Sequence, residues 1–253
     1  MIASSSADAL AELLSIAYKS NSTTMVPATL EPADIDSAYE VQKRLLRICD
    51  VGIGGWKIGA KSATGPIQGA PLPLPRIYSG SASIARRDYP VLGIELEICF
   101  SFSRDFLPQP EPISEREVLE SLAAFGASIE IVSSRIAGWP EAAKLSQLAD
   151  LQNNGALVVG KMVEYRSDFP FPSPMAELSI DGVPLFSGAG RNPAGDPRRL
   201  LGWLVQHCSD KGWSLPAGSI ITTGSYTGME FPGRAGTVTG AIAGLPAVTF
   251  ELV

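Results

Sequence analysis

Two glutamates at alternate positions of an apolar run, Gly93-Ile94-Glu95-Leu96-Glu97-Ile98-Cys99-Phe100, are the residues of this chain best placed to do chemistry. Successive side chains of a β-strand point to opposite faces, so Ile94, Leu96 and Ile98 share one face and both carboxylates share the other. Acids held that close repel, and burying them unpaired drives protons onto them unless a cation sits between them. A third acid, Glu130, lies in a second run of strand character, Ala127-Ser128-Ile129-Glu130-Ile131-Val132. Three carboxylates suit a hard ion, Mg²⁺ or Mn²⁺, because zinc and copper centres draw on histidine or cysteine. The outer face of a half-exposed antiparallel sheet also carries alternating acids, and the pair alone fits either reading.

Lys57 is the next residue of interest. It sits between Trp56 and Ile58 in Gly54-Gly55-Trp56-Lys57-Ile58-Gly59-Ala60-Lys61-Ser62, where glycines let a backbone or ligand approach. Burial near a metal is expected to lower its pKa and make it a proton shuttle; while protonated it can hold a substrate carboxylate. A lysine snorkelling from a strand edge fits the same spacing, and Lys61 is expected to be the more exposed of the two. The sole histidine, His207, falls near the end of a predicted helix, where a surface or helix-terminal role is expected, so histidine-dependent nucleophiles and histidine-rich metal sites have no support. The loop Thr222-Thr223-Gly224-Ser225-Tyr226-Thr227-Gly228 offers N–H and O–H donors to a carboxylate, although loops are also polar for solubility. Gly188-Ala189-Gly190 lacks the third glycine of a dinucleotide fingerprint, and Pro193 interrupts it.

The elements that must position these residues are read from patterning. With 253 residues, 45% of them hydrophobic, the chain can bury a sizeable core, and a single catalytic domain over 1–253 is expected. Residues 1–50 form a helical segment: Leu10, Leu13, Leu14 and Ala17 mark one stripe, and Ile35, Ala38, Val41, Leu45 and Ile48 a second, capped by Asp34. Residues 51–253 form a β-rich metal-binding core. Within it, short helices are predicted from Ser114 to about Ala124, behind a capping box, and from Asp196, with Leu200, Leu201, Leu204 and Val205 on the apolar face. Asp181-Gly182 marks a hairpin between Glu177–Ile180 and Val183–Phe186; Ser219–Thr222, Thr237–Ala241 and Ala247–Leu252 are further strands. The proline-rich stretches 66–75 and 108–112 read as loops. The fold class is α+β.

A net charge of −6 without a basic stripe argues against nucleic acid. Three widely spaced cysteines, Cys49, Cys99 and Cys208, indicate neither a disulfide framework nor a zinc knuckle, and a cytoplasmic location is expected. No apolar stretch is long enough to span a bilayer, and the start lacks a basic region before an apolar core, so neither membrane insertion nor secretion is expected.

Taken in order, Gly55-Trp56-Lys57-Ile58-Gly59, Gly93-Ile94-Glu95-Leu96-Glu97, Ile129-Glu130-Ile131-Val132-Ser133-Ser134-Arg135, Gly202-Trp203-Leu204 and Thr222-Thr223-Gly224-Ser225 resemble the 2-keto-4-pentenoate hydratase / 4-oxalocrotonate decarboxylase branch of the fumarylacetoacetate hydrolase superfamily. The resemblance covers nearly the whole chain. It implies a distorted mixed β-roll or barrel with an N-terminal helical segment, assembled into homo-oligomers. It also implies Mg²⁺ or Mn²⁺ on Glu95, Glu97 and Glu130, with Lys57 beside the substrate. Two departures stand out: Asp150-Leu151-Gln152-Asn153-Asn154-Gly155 places Asn153 where the family has a pocket serine, and Pro71-Leu72-Pro73-Leu74-Pro75-Arg76 replaces an acidic Pro-Asp element.

The expected activity is that of a hydro-lyase in aromatic-compound catabolism, adding water to a short 2-hydroxy-dienoate to give a 4-hydroxy-2-oxo acid. Lys57 is its proton carrier or carboxylate anchor, and Asn153, Thr223 and Ser225 are its pocket donors. Alternatives are a decarboxylase of an oxalocrotonate- or oxaloacetate-type acid, an acylpyruvate C–C hydrolase, or a catalytically silent subunit of a partner lyase. The expected partners are a small 2-oxo or 2-hydroxy-dienoic acid, further copies of the chain, and another catabolic enzyme.

Overall fold

The computed structural model describes residues 6–253. Its helices are α1 (Ser6–Ser20), α2 (Ile35–Cys49), α3 (Glu115–Glu120), α4 (Lys144–Ala149) and α5 (Arg199–Asp210). Its strands are β1 (Ile53–Ala60), β2 (Ile67–Pro73), β3 (Ile77–Ser79), β4 (Ser83–Ile84), β5 (Gly93–Phe102), β6 (Leu122–Val132), β7 (Asn154–Val159), β8 (Val163–Glu164), β9 (Met175–Ile180), β10 (Val183–Ala189), β11 (Ile220–Ser225), β12 (Gly236–Ile242) and β13 (Val248–Leu252). The fold is α+β with two sheets, neither closed into a barrel. The larger runs β2-β1-β11-β5-β6-β7-β3 with β8 beside β6, and the smaller runs β10-β9-β12-β13-β4.

β5 and β6 are central, and the alternation read from sequence separates their faces. Ile94, Leu96, Ile98, Ile129 and Ile131 are fully buried on the apolar side. The smaller sheet packs there so closely that a Cβ at Gly240 would lie 2.6 Å from Leu96 Cδ1 and 3.1 Å from Ile129 Cδ1. The opposite side carries the acids and is left for a cavity.

The two N-terminal helices pack as their stripes require. Leu10, Leu14, Ala38, Val41 and Leu45 are buried with Ala70, Leu148 and Leu151, which seats the pair over β2 and α4. Asp34 caps α2 by accepting the Ser37 N–H at 2.7 Å. Buried Gln42 donates to Leu148 O at 2.7 Å and Gly69 O at 3.3 Å, joining α2 to both neighbours. Ile35 is instead exposed. The part of the predicted helical segment in residues 1–5 lies outside the described residues.

Several sequence expectations need correction. The stretch 66–75 is not a loop: most of it is β2, antiparallel to β1 with Pro71 opposite Trp56. Proline is tolerated because β2 lies at the sheet edge, where a missing N–H costs no second ladder. The capping box at Ser114 and Glu117 forms, but α3 ends at Glu120 and Leu122 already belongs to β6. Apolar spacing there serves the start of a long strand rather than a third helical turn. α5 begins at Arg199, since residues after Pro197 wind into a tighter turn with Leu200 N donating to Pro197 O at 3.0 Å. The Asp181-Gly182 hairpin forms as read, with positive φ of 48° and 74° at its two turn residues.

Candidate metal centre

Strand register brings the acids together. In the antiparallel β5–β6 pair Glu95 lies opposite Glu130 and Glu97 opposite Ser128, and directly opposed residues share a face. One carboxylate oxygen from each of Glu95, Glu97 and Glu130 lies within 4.8 Å of the others.

Each acid is held differently. Glu130 is fully buried; its Oε1 accepts from Lys57 Nζ at 2.6 Å and from Asn154 Nδ2 at 2.9 Å, while its buried Oε2 has no partner. Glu97 is buried and its Oε2 accepts from the Gly224 N–H at 3.0 Å and from the Thr222 hydroxyl. Glu95 is half-buried and faces the cavity. Burial and then the charge of Glu130 push the Glu95 carboxyl up to about 7. Burial, Glu130 and Glu95 push Glu97 up to about 8, against the Thr222 hydrogen bond. Converging carboxylates with an unpartnered buried oxygen form a donor set that fits a hard divalent ion.

Lys57 is buried in β1, and its ammonium donates both to Glu130 and to Gln152 O, the latter at 3.1 Å. Desolvation alone would lower its pKa, but the charges of Glu130, Glu95 and Glu97 outweigh it and the net direction is upward. The sequence expectation of a lowered lysine pKa is thus reversed among the protein's own groups, because three carboxylates converge on this ammonium.

The pocket donors read from sequence separate in space. Ser225 lines the acid cavity, opposite Glu97 in the β11–β5 register, and its hydroxyl donates to Gly228 O at 3.0 Å. Thr223 is fully buried with its hydroxyl on Ile98 O at 2.8 Å, and Thr222 takes the place on Glu97. A register shift between Thr222 and Ser225, with Gly224 at φ 93°, puts those two on the acid side and turns Thr223 away. Asn153 lines an adjoining cavity of about 380 Å³ and donates to Gln147 Oε1 at 3.2 Å.

Sequence reasoning missed Gln152 and the turn that carries it. Leu151, Gln152 and Asn153 have φ of 48°, 53° and 58°, three consecutive left-handed residues of a kind seldom seen outside glycine. A buried ion pair braces them: Arg135 donates from Nε to Asp150 Oδ1, from Nη2 to Asp150 O at 2.7 Å, and from Nη1 to Asn154 O at 2.8 Å. Asp150 in the family-like motif was the available signal.

His207 is not a surface residue. It is 7% exposed, stacked on Trp203 at 4.7 Å and packed against Tyr39 at 4.5 Å, with Trp56 and Trp213 completing an aromatic box. It does not line the acid cavity.

No family model matches the chain. A 2-keto-4-pentenoate hydratase of Paraburkholderia phymatum is 29% identical over 61% of this chain and 58% of its own length. A 2-hydroxyhexa-2,4-dienoate hydratase of Comamonas testosteroni is 28% identical over 56% of this chain and 52% of its own. The chain therefore matches little more than half the length of these curated relatives. Among solved structures, 4-oxalocrotonate decarboxylase from Pseudomonas putida G7, complexed with magnesium and adipate, superposes over 98% of this chain and 97% of its own with a TM-score of 0.84 and 18% identity. A fumarylpyruvate hydrolase from Pseudomonas aeruginosa, in complex with Mn²⁺ and pyruvate, gives a TM-score of 0.54 over 78% of this chain and 88% of its own at 14% identity. At such identities the structural likeness is one of fold. The chain is thus similar in part of its sequence to hydratases of the 2-keto-4-pentenoate and 2-hydroxydienoate type, and in fold to 4-oxalocrotonate decarboxylase.

Proposed function

We propose that the chain is a divalent-metal-dependent hydro-lyase that adds water to a short 2-hydroxy-dienoate of the 2-hydroxypenta-2,4-dienoate type, giving a 4-hydroxy-2-oxo acid. The observation that carries this reading is the meeting of Glu95, Glu97 and Glu130 around the buried, unpartnered Glu130 Oε2, with the Lys57 ammonium alongside.

Glu95, Glu97 and Glu130 would hold Mg²⁺ or Mn²⁺, which would supply Lewis acidity to stabilise negative charge developing on the bound acid. Thr222 and Gly224 fix the Glu97 carboxylate by two donated hydrogen bonds, so it presents its remaining lone pairs without rotating. Lys57 has three N–H donors; Glu130 and Gln152 O take two, and the third anchors the substrate carboxylate or delivers a proton to the diene. Ser225 lines the cavity beside them and orients the acid. Asn153 and Thr223 enter this proposal as supports for the walls, given where their side chains bond.

Assembly into a homo-oligomer and association with another enzyme of aromatic-compound catabolism belong to the same proposal, and light scattering with and without a candidate partner tests them. Among the described residues no helix is long and apolar enough to cross a membrane.

The deciding experiment incubates Mg²⁺-loaded protein with 2-hydroxypenta-2,4-dienoate, oxalocrotonate, oxaloacetate and an acylpyruvate. Loss of dienol absorbance with formation of a 4-hydroxy-2-oxo acid is the expected result. Release of CO₂ from the second or third acid alone would make the protein a decarboxylase, and cleavage of the fourth alone a C–C hydrolase.

A further inference from the structure

The cavity above the three glutamates, about 570 Å³, adjoins a second of about 380 Å³, and Lys57, Glu95, Gln68 and Gln152 line both. Two neutral amides therefore stand at the seam beside the charged groups. Among the described residues neither amide side chain makes a hydrogen bond, and Gln152 Oε1 is buried without a donor. Gln147, which also lines the second cavity, is by contrast fully engaged. Its Nε2 donates to Pro140 O at 3.0 Å and Ala142 O at 2.7 Å, and its Oε1 accepts from Asn153 Nδ2 at 3.2 Å. Beyond the seam Val132, Trp139, Leu148 and Met229 give the second cavity an apolar wall. Idle amides beside such a wall call for a ligand that brings its own donor and acceptor.

The fold fixes where both amides start. Gln152 is the middle residue of the left-handed turn, and its carbonyl accepts from Lys57 Nζ at 3.1 Å while the same ammonium donates to Glu130 at 2.6 Å. Its backbone is thus two hydrogen bonds from one of the converging carboxylates. Gln68 lies opposite Gly59 in the β1–β2 pair, and Ala70 lies opposite Lys57. Opposed residues share a face, as do residues two apart on one strand, so Gln68 is on the face of Lys57. An amide offers two N–H donors and one carbonyl acceptor without charge, which matches a hydroxyl group that donates once and accepts.

We propose that Gln152 and Gln68 form a neutral hydroxyl subsite at this seam, which holds the 4-hydroxyl of the 4-hydroxy-2-oxo acid and, before hydration, a water in the same place. The proposal rests on the hydration reading: with C1 and the 2-oxygen over the glutamates, C4 lies past Lys57 at the seam. The last side-chain torsion of glutamine is soft, so rotation about it presents Gln152 Oε1 to the hydroxyl proton, while the Gln68 amide donates to the hydroxyl oxygen. Neither amide gains or loses a proton; the pair sets the position of that oxygen.

The test compares 2-oxopentanoate with 4-hydroxy-2-oxopentanoate, which differ only by the hydroxyl at C4, by calorimetric titration into Mg²⁺-loaded protein. The hydroxy acid is expected to bind about tenfold more tightly. Gln152→Met, close in size but without hydrogen-bonding groups, is expected to abolish that preference and to leave the affinity for 2-oxopentanoate within about twofold. Gln68→Met is expected to cut the preference at least about threefold. It lies on β2, clear of the left-handed turn, and reads the subsite even where a change at Gln152 unsettles that turn. Equal affinities for the two acids in the wild type, or the full preference retained in either variant, overturn the subsite. Titration of Mg²⁺ alone and turnover of the dienoate separate the claims: failure to bind the ion overturns the metal reading, failure to hydrate the dienoate overturns the hydration reading, and hydration without preference between the two acids overturns only the subsite.

Discussion

Glu95 and Glu130 are direct register partners across the central antiparallel pair, two acids facing each other where a sheet ordinarily avoids like charges. The Lys57 ammonium offsets only part of this repulsion, so the fold holds the pair at a loss until a second cation joins it. Glu95, which has no hydrogen-bond donor of its own among the described residues, gives the cleanest test. Glu95→Gln is expected to raise the melting temperature of chelator-treated protein by a few degrees, about 1 kcal/mol. Wild-type protein should gain about 2.7 kcal/mol from Mn²⁺ at a hundred times its dissociation constant, and the variant little. Differential scanning fluorimetry reads both; an equal Mn²⁺ response in the variant would remove Glu95 from the centre.

Lys57 and Glu130 form a buried ion pair, and cutting it from one side leaves a stranded charge. Lys57→Met is expected to destabilise the chelator-treated protein by about 3 kcal/mol. Lys57→Met with Glu130→Gln should recover most of that loss in urea unfolding, yet neither variant should turn over substrate. A double variant as unstable as the single one would show that packing around Lys57, and not its charge, carries the stability.

The Arg135–Asp150 pair acts one step away from the chemistry. Arg135→Met removes the bonds to both ends of the left-handed turn that presents Gln152 O to Lys57. A fall in turnover of at least about tenfold is expected, with Mg²⁺ affinity changed only a few-fold, since the glutamates sit on β5 and β6 and not on the turn that Arg135 braces. Parallel loss of metal affinity and turnover in calorimetry and kinetics would contradict this division.

Acid sensitivity has a local source at His207. Burial lowers its pKa to about 4, so between about 4 and its ordinary 6.5 the unfolded chain binds a proton that the folded chain refuses. Stability is then complete above about pH 6.5 and falls as pH drops toward 4, by roughly 2–4 kcal/mol in all. His207→Phe, which keeps an aromatic ring in the box, should flatten that part of the acid limb in urea midpoints measured across pH. An unchanged slope would assign the limb to other groups.

The site was legible where it depended on period-two alternation. Glu95, Glu97 and Glu130 interrupt apolar strands, and that pattern survives folding because one face must meet the second sheet. What escaped depends on contacts that distant residues impose. A bulge with Gly224 exchanges the roles of Thr222 and Thr223. Prolines that read as loop become an edge strand because α2 and β1 supply its partners. His207 disappears into a box whose walls come from α2, β1, α5 and the chain after α5.

The position of β2 bears on how copies of this chain can associate. Its Pro71 and Pro73 withhold N–H groups along the outermost strand of the larger sheet, and β3 at the far end spans only Ile77–Ser79. Neither margin is a good template for an incoming strand, so the layer bearing the acids is guarded against edgewise aggregation. Copies of the chain are therefore not expected to join by extending the larger sheet.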